Sequence, residues 1–375
     1  MQTESKKTHT IMKNANLHKA KKEKNDEFYT RLVDIENELR FYKDFFRGKV
    51  VLCNCDDPRV SNFFHYFSYN FEKLGLKKLI TTCYKNQERD LFTQHNSDRA
   101  IWLEYNGDRN GNNVPDPDEI GIHYFEGDGS FDSPECVELL KQADVVVTNP
   151  PFSLARAFIK LLVDHDKKFL IIGNQNGITY KEIFPLIRDN KLWLGNTMVK
   201  EFVMPDGNTK KFGNICWFTN IPHNKRNEPL VLTEHFSEDK YPRYDNYLAW
   251  NVDKVADIPM DDYIDIVIDK VDLEKYKSIY DIEVLEDRKI RIHNPIYGVP
   301  ITFLYNYCPE QFEIIWRGGD IEWCENSCEF YTPPAIEKTK EYKRQDRTWR
   351  IQNPYLVDSS GKGQTVYQRI FICKK

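Results

Sequence analysis

The apolar positions along the chain fall into two regimes. Up to about residue 223, short apolar runs alternate with segments of helical spacing; beyond about residue 224 the chain turns polar, tyrosine-rich and irregular. In the first regime Lys49-Val-Val-Leu-Cys53, Lys78-Leu-Ile-Thr-Thr-Cys83 and the stretches 145–147, 168–173 and 212–219 read as strands. Runs with no polar alternation are strands buried on both faces, the pattern of a largely parallel sheet. Residues 33–46, 135–142 and 180–188 carry helical spacing. So does the segment after Pro58, where Phe63, Phe64, Phe67, Phe71 and Leu74 share one face. Strands alternating with helices predict an α/β domain over 23–223 and a second region over 224–375. Residues 1–22 hold six lysines and little apolar content, and read as a disordered tail.

The stretch Asp144-Val-Val-Val-Thr-Asn149-Pro150-Pro151-Phe152-Ser153 punctuates this pattern. The strand must stop at Asn149, because two prolines follow that fix their own φ and offer no N–H to a ladder. A proline also pushes the residue before it to extended geometry. Ser153 is placed to cap a helix whose apolar positions Leu154, Phe158, Leu161 and Leu162 lie on one face. A rigid turn therefore sits at the carboxyl end of a strand, where open α/β sheets hold ligands. Asn149 presents a side-chain carbonyl, Pro150 a backbone carbonyl, and Phe152 a flat ring. Two acceptors and a stacking face suit the exocyclic amino group of a planar base. Accepting both amino hydrogens draws the nitrogen lone pair out of conjugation and makes it a better nucleophile. The bland alternative is a turn that merely ends a strand.

Asn149-Pro-Pro-Phe152 resembles motif IV of the amino-group methyltransferases. Thr148-Asn-Pro-Pro-Phe-Ser-Leu-Ala-Arg156, followed by Lys167-Lys-Phe-Leu-Ile-Ile-Gly-Asn174, is similar to the adenine-specific DNA methyltransferases of the EcoRI methylase type. Lys24-Asn-Asp-Glu-Phe-Tyr-Thr30, Cys53-Asn-Cys-Asp-Asp-Pro58 and Val299-Pro-Ile-Thr-Phe-Leu304 also match, so the resemblance covers about residues 20–320. It implies a Rossmann-like methyltransferase sheet with helices on both faces, plus a C-terminal α+β target-recognition region. It implies S-adenosylmethionine as cofactor and methyl transfer to the N6 amine of a flipped adenine in double-stranded DNA, within a restriction-modification system. Asn149, Pro150, Pro151 and Phe152 become the catalytic residues. Tyr29, Thr30, Asn54, Asp56, Asp57, Asp128 and Phe131 become the cofactor contacts. The glycine-rich loop usual for such a fold is absent after the first strand, a departure that the family shares, and Ser130 stands where the family often has a second acid. Trp217 and Phe218 are candidates for the wall of the base pocket; they alternate faces, so only one of them lines it. The order of motifs, cofactor loop first and added C-terminal region last, matches the gamma arrangement. Transfer to RNA or to a glutamine amide, and a DNA-binding relic without activity, remain open beside this reading.

Composition narrows the partners. A net charge of −5 excludes a uniformly basic nucleic-acid binder, so DNA contact must come from local patches. Lys343, Arg344 and Arg347, interleaved with Tyr342 and Trp349, form the strongest such patch in the second region; a solvated helix face explains them equally well. Aromatic residues make up 14% of the chain, more than a core requires, which leaves rings for stacking on bases. Nine cysteines without a framework pattern fit a reducing cytoplasm. No apolar run reaches membrane-helix length and no secretory signal is visible, so no membrane partner is expected. Asp108, Asn110, Asn112, Asp116 and Glu119 approach the spacing of a calcium loop, but Asn113 replaces the turn glycine; the segment reads as a solvated insertion and no metal is expected. Oligomeric state is not legible.

Overall fold

The apolar runs of the first regime do become strands. The computed structural model describes residues 29–55, 61–84, 100–112, 114–204, 207–223, 226, 228–269, 272–286, 288–318, 354–357, 361 and 363–375. The chain divides into two compact units, Met1–His223 and Asn224–Lys375. In the first unit a two-residue strand, β1 (Tyr29–Thr30), precedes α1 (Leu32–Leu39), β2 (Val50–Asn54), α2 (Asn62–Tyr69), α3 (Phe71–Leu74) and β3 (Lys78–Cys83). An antiparallel pair follows, β4 (Ile101–Tyr105) and β5 (Ile120–Tyr124), and then α4 (Pro134–Gln142), β6 (Val145–Thr148), α5 (Ala155–Asp164) and β7 (Lys168–Asn174). The short helix α6 (Phe184–Arg188) leads into a long hairpin, β8 (Trp193–Val203) and β9 (Thr209–Thr219).

These strands form one nine-stranded mixed sheet in the order β1-β8-β9-β7-β6-β2-β3-β4-β5. The central strands β3, β2, β6 and β7 are parallel. β9 runs antiparallel to β7, and β4 antiparallel to β3. From β2 the chain proceeds outward to β3 on one side; from β6 it proceeds outward to β7 on the other. The strand order therefore reverses between β2 and β6, the position at which such sheets open a crevice. All four residues of β6 are buried, as their β-branched, non-alternating sequence demands. One face of the sheet, with Val51, Cys53, Val145, Val147, Leu170 and Ile172, packs on Ile35 and Leu39 of α1 and on Phe63, Phe64 and Phe67 of α2.

Several local expectations change. The helix expected over 33–46 ends at Leu39, because Tyr42 takes φ −122° and only the 3-10 turn Lys43–Phe46 follows. Burying Tyr42 against Glu38 is what leaves the helix broken there. Ser153 does not cap α5. The turn continues for two more residues, with the Leu154 amide donating to Pro151 O at 2.8 Å, so Leu154 becomes the N-cap and the helix begins at Ala155. The helix expected at 180–188 shrinks to α6. The stretch 106–119, read as a polar loop, is the connection between β4 and β5; the two strands that flank it were not expected. Within it Glu119 is buried and accepts from the Arg109 and Asn110 amides at 2.6 and 3.2 Å, so this carboxylate organises the loop through its backbone. Among the described residues no group of three or more His, Cys, Asp or Glu side chains is arranged to hold a metal. No helix among them is long and apolar enough to cross a membrane.

The second unit is built mostly of strands: β10 (Trp250–Asn251), β11 (Tyr263–Val267), β12 (Ile282–Glu286), β13 (Lys289–His293), β14 (Tyr297–Pro300), β15 (Phe312–Arg317), β16 (Tyr355–Val357), β17 (Gly363–Thr365) and β18 (Arg369–Lys374). They form small sheets in the orders β10-β14-β18-β15 and β11-β13-β12, with β16 paired to β17. The helix α7 (Leu273–Lys277) precedes β12. Lys343, Arg344 and Arg347 lie outside the described residues, as does the tail at 1–22.

Candidate active site

The site is built from strand ends. Thr148, the last residue of β6, is fully buried, and its hydroxyl donates to the Asn54 carbonyl at the end of β2. That bond ties the two strands together where the sheet order reverses. Directly after it the prolines hold the chain in a turn, with Asn149 only 6% exposed and Phe152 half-buried. Cys55, one residue past β2, takes φ +85°, a left-handed conformation that a side chain rarely adopts. This is the place of the missing glycine. The backbone makes the same kind of turn there without one, and stores strain at the mouth of the crevice.

Phe152 sits in a cluster of three rings. It meets Phe202 of β8 edge-on at 6.0 Å and Phe212 of β9 at 6.1 Å, while Phe202 and Phe212 are 5.4 Å apart. Edge-to-face contacts fix a ring's orientation without covering both of its faces. Phe212 reaches this position through an irregularity in the hairpin. Val199 pairs with Ile215 but Glu201 with Lys211, so β9 carries extra residues there. Such a bulge re-aims the side chains on it. Thr30 is the register partner of Phe202, and its carbonyl accepts from Asn62 Nδ2 at 2.7 Å, which brings the start of the described chain to the same end of the sheet.

On the other side of β2 the Gly127–Asp132 loop closes over the end of β3. Gly129 has φ +72°, and a Cβ on it would lie 2.7 Å from Cys83 O and 2.8 Å from Ala100 Cβ, so glycine alone lets the loop approach this closely. Asp128 Oδ1 accepts from the Ser130 amide at 3.0 Å. Phe131 packs edge-on against Phe158 of α5 at 5.1 Å, which joins this loop to the helix behind the Asn-Pro-Pro-Phe turn.

Residues 16–278 match the family described as adenine-specific methyltransferase EcoRI. The chain belongs to the EcoRI family of adenine-specific methyltransferases. Membership makes it a site-specific DNA methyltransferase, an enzyme that requires a methyl donor. It is 44% identical over 319 residues to the type II methyltransferase M.EcoRI of Escherichia coli, covering 80% of this chain and 88% of that protein. It is 35% identical to M.MpnI of Mycoplasma pneumoniae and to M.MgeORF184P of Mycoplasma genitalium, covering 80% of this chain and 84% of each. No solved structure matches it significantly.

The mixed α/β fold gathers part of the expected set. Asn54, Asn149, Pro150, Pro151 and Phe152 lie at the ends of β2 and β6; Tyr29 and Thr30 join them through the pairing of β1 with β8; and the loop that carries Asp128 and Phe131 approaches the end of β3 at Gly129. Asp56 and Asp57 lie outside the described residues. Trp217 and Phe218 do alternate faces, yet both are buried inside the sheet layers, at 0% and 1% exposure. Trp217 meets Phe63 of α2 edge-on at 6.2 Å, and Phe218 lies over Gly173, where a Cβ would sit 3.0 Å from its ring. The rings beside Phe152 are Phe202 and Phe212 instead. No pattern in the sequence marks β8, so Phe202 carries no signal there. Phe212 opens a strand that the sequence does show, but regular alternation cannot foresee a bulge.

Glu38 likewise carries no signal in the sequence. It is fully buried on α1, where burial holds its carboxyl above the ordinary range. It accepts from the Asn196 amide at 2.8 Å, the Thr197 amide and hydroxyl at 2.7 Å, and the Tyr42 hydroxyl at 2.9 Å. The Asn196 and Thr197 donors lie on a second irregular stretch of β8, so Glu38 pins α1 to the strand that carries Phe202. At the far end Arg31 bonds both Asp34 and Glu201 and closes a second tie between the same elements.

Proposed function

We propose that this methyltransferase moves the methyl group of S-adenosylmethionine to the N6 amine of an adenine flipped out of double-stranded DNA, and that it serves a restriction-modification system. The observation that carries the reading is the Asn149–Phe152 turn at the reversal of strand order, with a half-exposed ring held in an aromatic cluster. The chain runs outward from β2 to β3 and from β6 to β7 in opposite directions, and the right-handed rule for parallel crossovers would then put their helices on opposite faces, which supports a Rossmann-like core. The residues present fit the cofactor. Thr30 Oγ1 and Asn54 Oδ1 are buried side-chain oxygens without a hydrogen-bond partner among the described residues. Buried polar atoms of this kind call for a ligand or water, and a cofactor with hydroxyl and ammonium donors satisfies them. When bound, S-adenosylmethionine supplies an electrophilic sulfonium methyl.

In this reading the Asn149 side chain and the Pro150 carbonyl accept the two N6 hydrogens, and Phe152 stacks on the base with Phe202 and Phe212 holding its edge. Tyr29, Thr30, Asn54 and the Asp128–Phe131 loop hold the cofactor. Trp217 and Phe218 act as packing beneath the hairpin. The Asn224–Lys375 unit reads the DNA sequence. Incubating the protein with tritiated S-adenosylmethionine and unmodified DNA, RNA or protein is expected to label DNA alone, as N6-methyladenine. Label in RNA or in protein glutamine would replace this reading.

Phe152→Ala is expected to weaken capture of the flipped base by roughly 1–3 kcal/mol, the worth of one stacking ring. Extrusion itself costs a few kcal/mol, so the flipped population falls steeply. Fluorescence of 2-aminopurine at the target position measures this; an unchanged signal in Phe152→Ala would assign the base to another ring.

A further inference from the structure

The strand beside the catalytic one ends in a fixed amide. β7 lies next to β6, with Thr148 the register partner of Ile171. Asn174, the half-buried last residue of β7, therefore stands beside the Asn149–Phe152 turn. Side chains alternate along a strand, so Asn174 faces the same way as Leu170 and Ile172, the face on which Phe152 and Phe212 pack. Its Oδ1 accepts from the Asn176 amide at 2.9 Å and from Asn214 Nδ2 at 3.1 Å. A backbone N–H only donates, so the first bond settles which end of the Asn174 amide is oxygen. The Nδ2 end takes part in neither bond, and its two hydrogens have no acceptor among the described residues. Asn214 follows Phe212 by two residues on the irregular stretch of β9. The bulge that re-aims Phe212 thus also brings up the amide that holds Asn174.

We propose that Asn174 is a specificity-determining residue, its Nδ2 donating a hydrogen bond to N1 of the flipped adenine, the ring nitrogen next to the methylated amine. The inference rests on the reading of the turn as the site of that base, and it assigns the edge by which the base is read. A flipped base is recognised by hydrogen bonds to its Watson–Crick edge. On adenine that edge carries the amine, a donor, and N1, an acceptor. Asn149 and Pro150 offer acceptors to the amine and nothing to N1. The complement of N1 is an N–H donor, and Asn174 supplies one from the neighbouring strand. Hypoxanthine and guanine carry an N1–H, which would set donor against donor. The Asn174 amide does not turn over to accept from them, because doing so would break both bonds at its Oδ1 and leave the Asn176 amide facing a donor. A site built this way rejects a base that lacks the matching group.

The test first maps the methylated position by sequencing DNA treated with the full-length protein and S-adenosylmethionine. Synthetic duplexes with adenine, 1-deazaadenine or 7-deazaadenine at that position are then compared in single-turnover methyl transfer at saturating duplex. The wild type is expected to lose roughly 10–100-fold on 1-deazaadenine, the cost of leaving a buried donor unpaired, and to keep most of its rate on 7-deazaadenine. Asn174→Asp keeps an oxygen for the Asn176 amide and removes the donor; Asn174→Ser does the same without adding a charge. Both variants are expected to lose a similar factor on adenine and nothing further on 1-deazaadenine. Their melting temperatures and calorimetric affinities for S-adenosylmethionine should stay close to wild type. The weaker pairing of 1-deazaadenine in the duplex affects wild type and variants alike, so the comparison between them isolates the contact. A wild type indifferent to 1-deazaadenine overturns the proposal, as does a larger loss on 7-deazaadenine. Losses from substitution and from 1-deazaadenine that multiply also overturn it, since the two groups would then act apart and Asn174 would serve the turn alone. The absence of any methylated adenine after wild-type treatment is a different outcome, and it overturns the reading of the turn on which the proposal rests.

Discussion

Replacing Asn149 with alanine is expected to lower turnover on DNA by roughly 10²–10³, the usual loss for one positioned hydrogen-bonding group in a catalytic site. Affinity for the cofactor should stay close to wild type. The backbone of the turn does not depend on the Asn149 side chain. It is held before that residue by the Thr148 hydroxyl on the Asn54 carbonyl, and after it by two prolines and the Leu154 bond to Pro151 O. The substitution therefore removes an acceptor and leaves its frame. Single-turnover methyl transfer beside calorimetry with S-adenosylmethionine separates the two quantities. Turnover at the wild-type rate would remove Asn149 from the chemistry and leave the turn as a structural stop.

Glu38→Ala should cause the largest loss of stability, on the order of 3 kcal/mol. Four donors converge on this carboxylate, two on each oxygen. Deleting it withdraws the acceptor from amides in the interior, and each such loss costs about 1–3 kcal/mol. Glu38→Gln is expected to rescue little, because its amide NH₂ would face donors. For a unit of this size the melting temperature should fall by roughly 6–12 °C. Gly195 shows how tightly the contact is made: a Cβ there would collide with the Glu38 carboxylate and with Trp217. A melting temperature unchanged in Glu38→Ala would mean that β8 keeps its irregular course without this acid.

The sequence by itself determined the parts whose cause is local. Three adjacent valines favour a strand buried on both faces, and two prolines must end it, so β6 and its stop were legible, although the helix after the turn begins later than Ser153 suggested. The chemistry proposed for Asn-Pro-Pro-Phe draws on atoms within four consecutive residues. β3 was placed at Lys78–Cys83 for a similar local reason, the β-branched run Ile80-Thr-Thr82 after Leu79. The tertiary structure alone decided what depends on partners far along the chain. Thr30 reaches the site only because β1 pairs with β8, more than 170 residues away. The aromatic partners of Phe152 were chosen by bulges in a hairpin, and a bulge shifts side chains by register rather than by composition. Trp217 and Phe218 look like pocket aromatics in sequence, but burial is set by what covers a strand, and here helix and glycine backbone cover both rings. Glu38 is the extreme case. In the sequence it is one acid among 58 Asp and Glu residues; only the fold buries it and brings four donors to it.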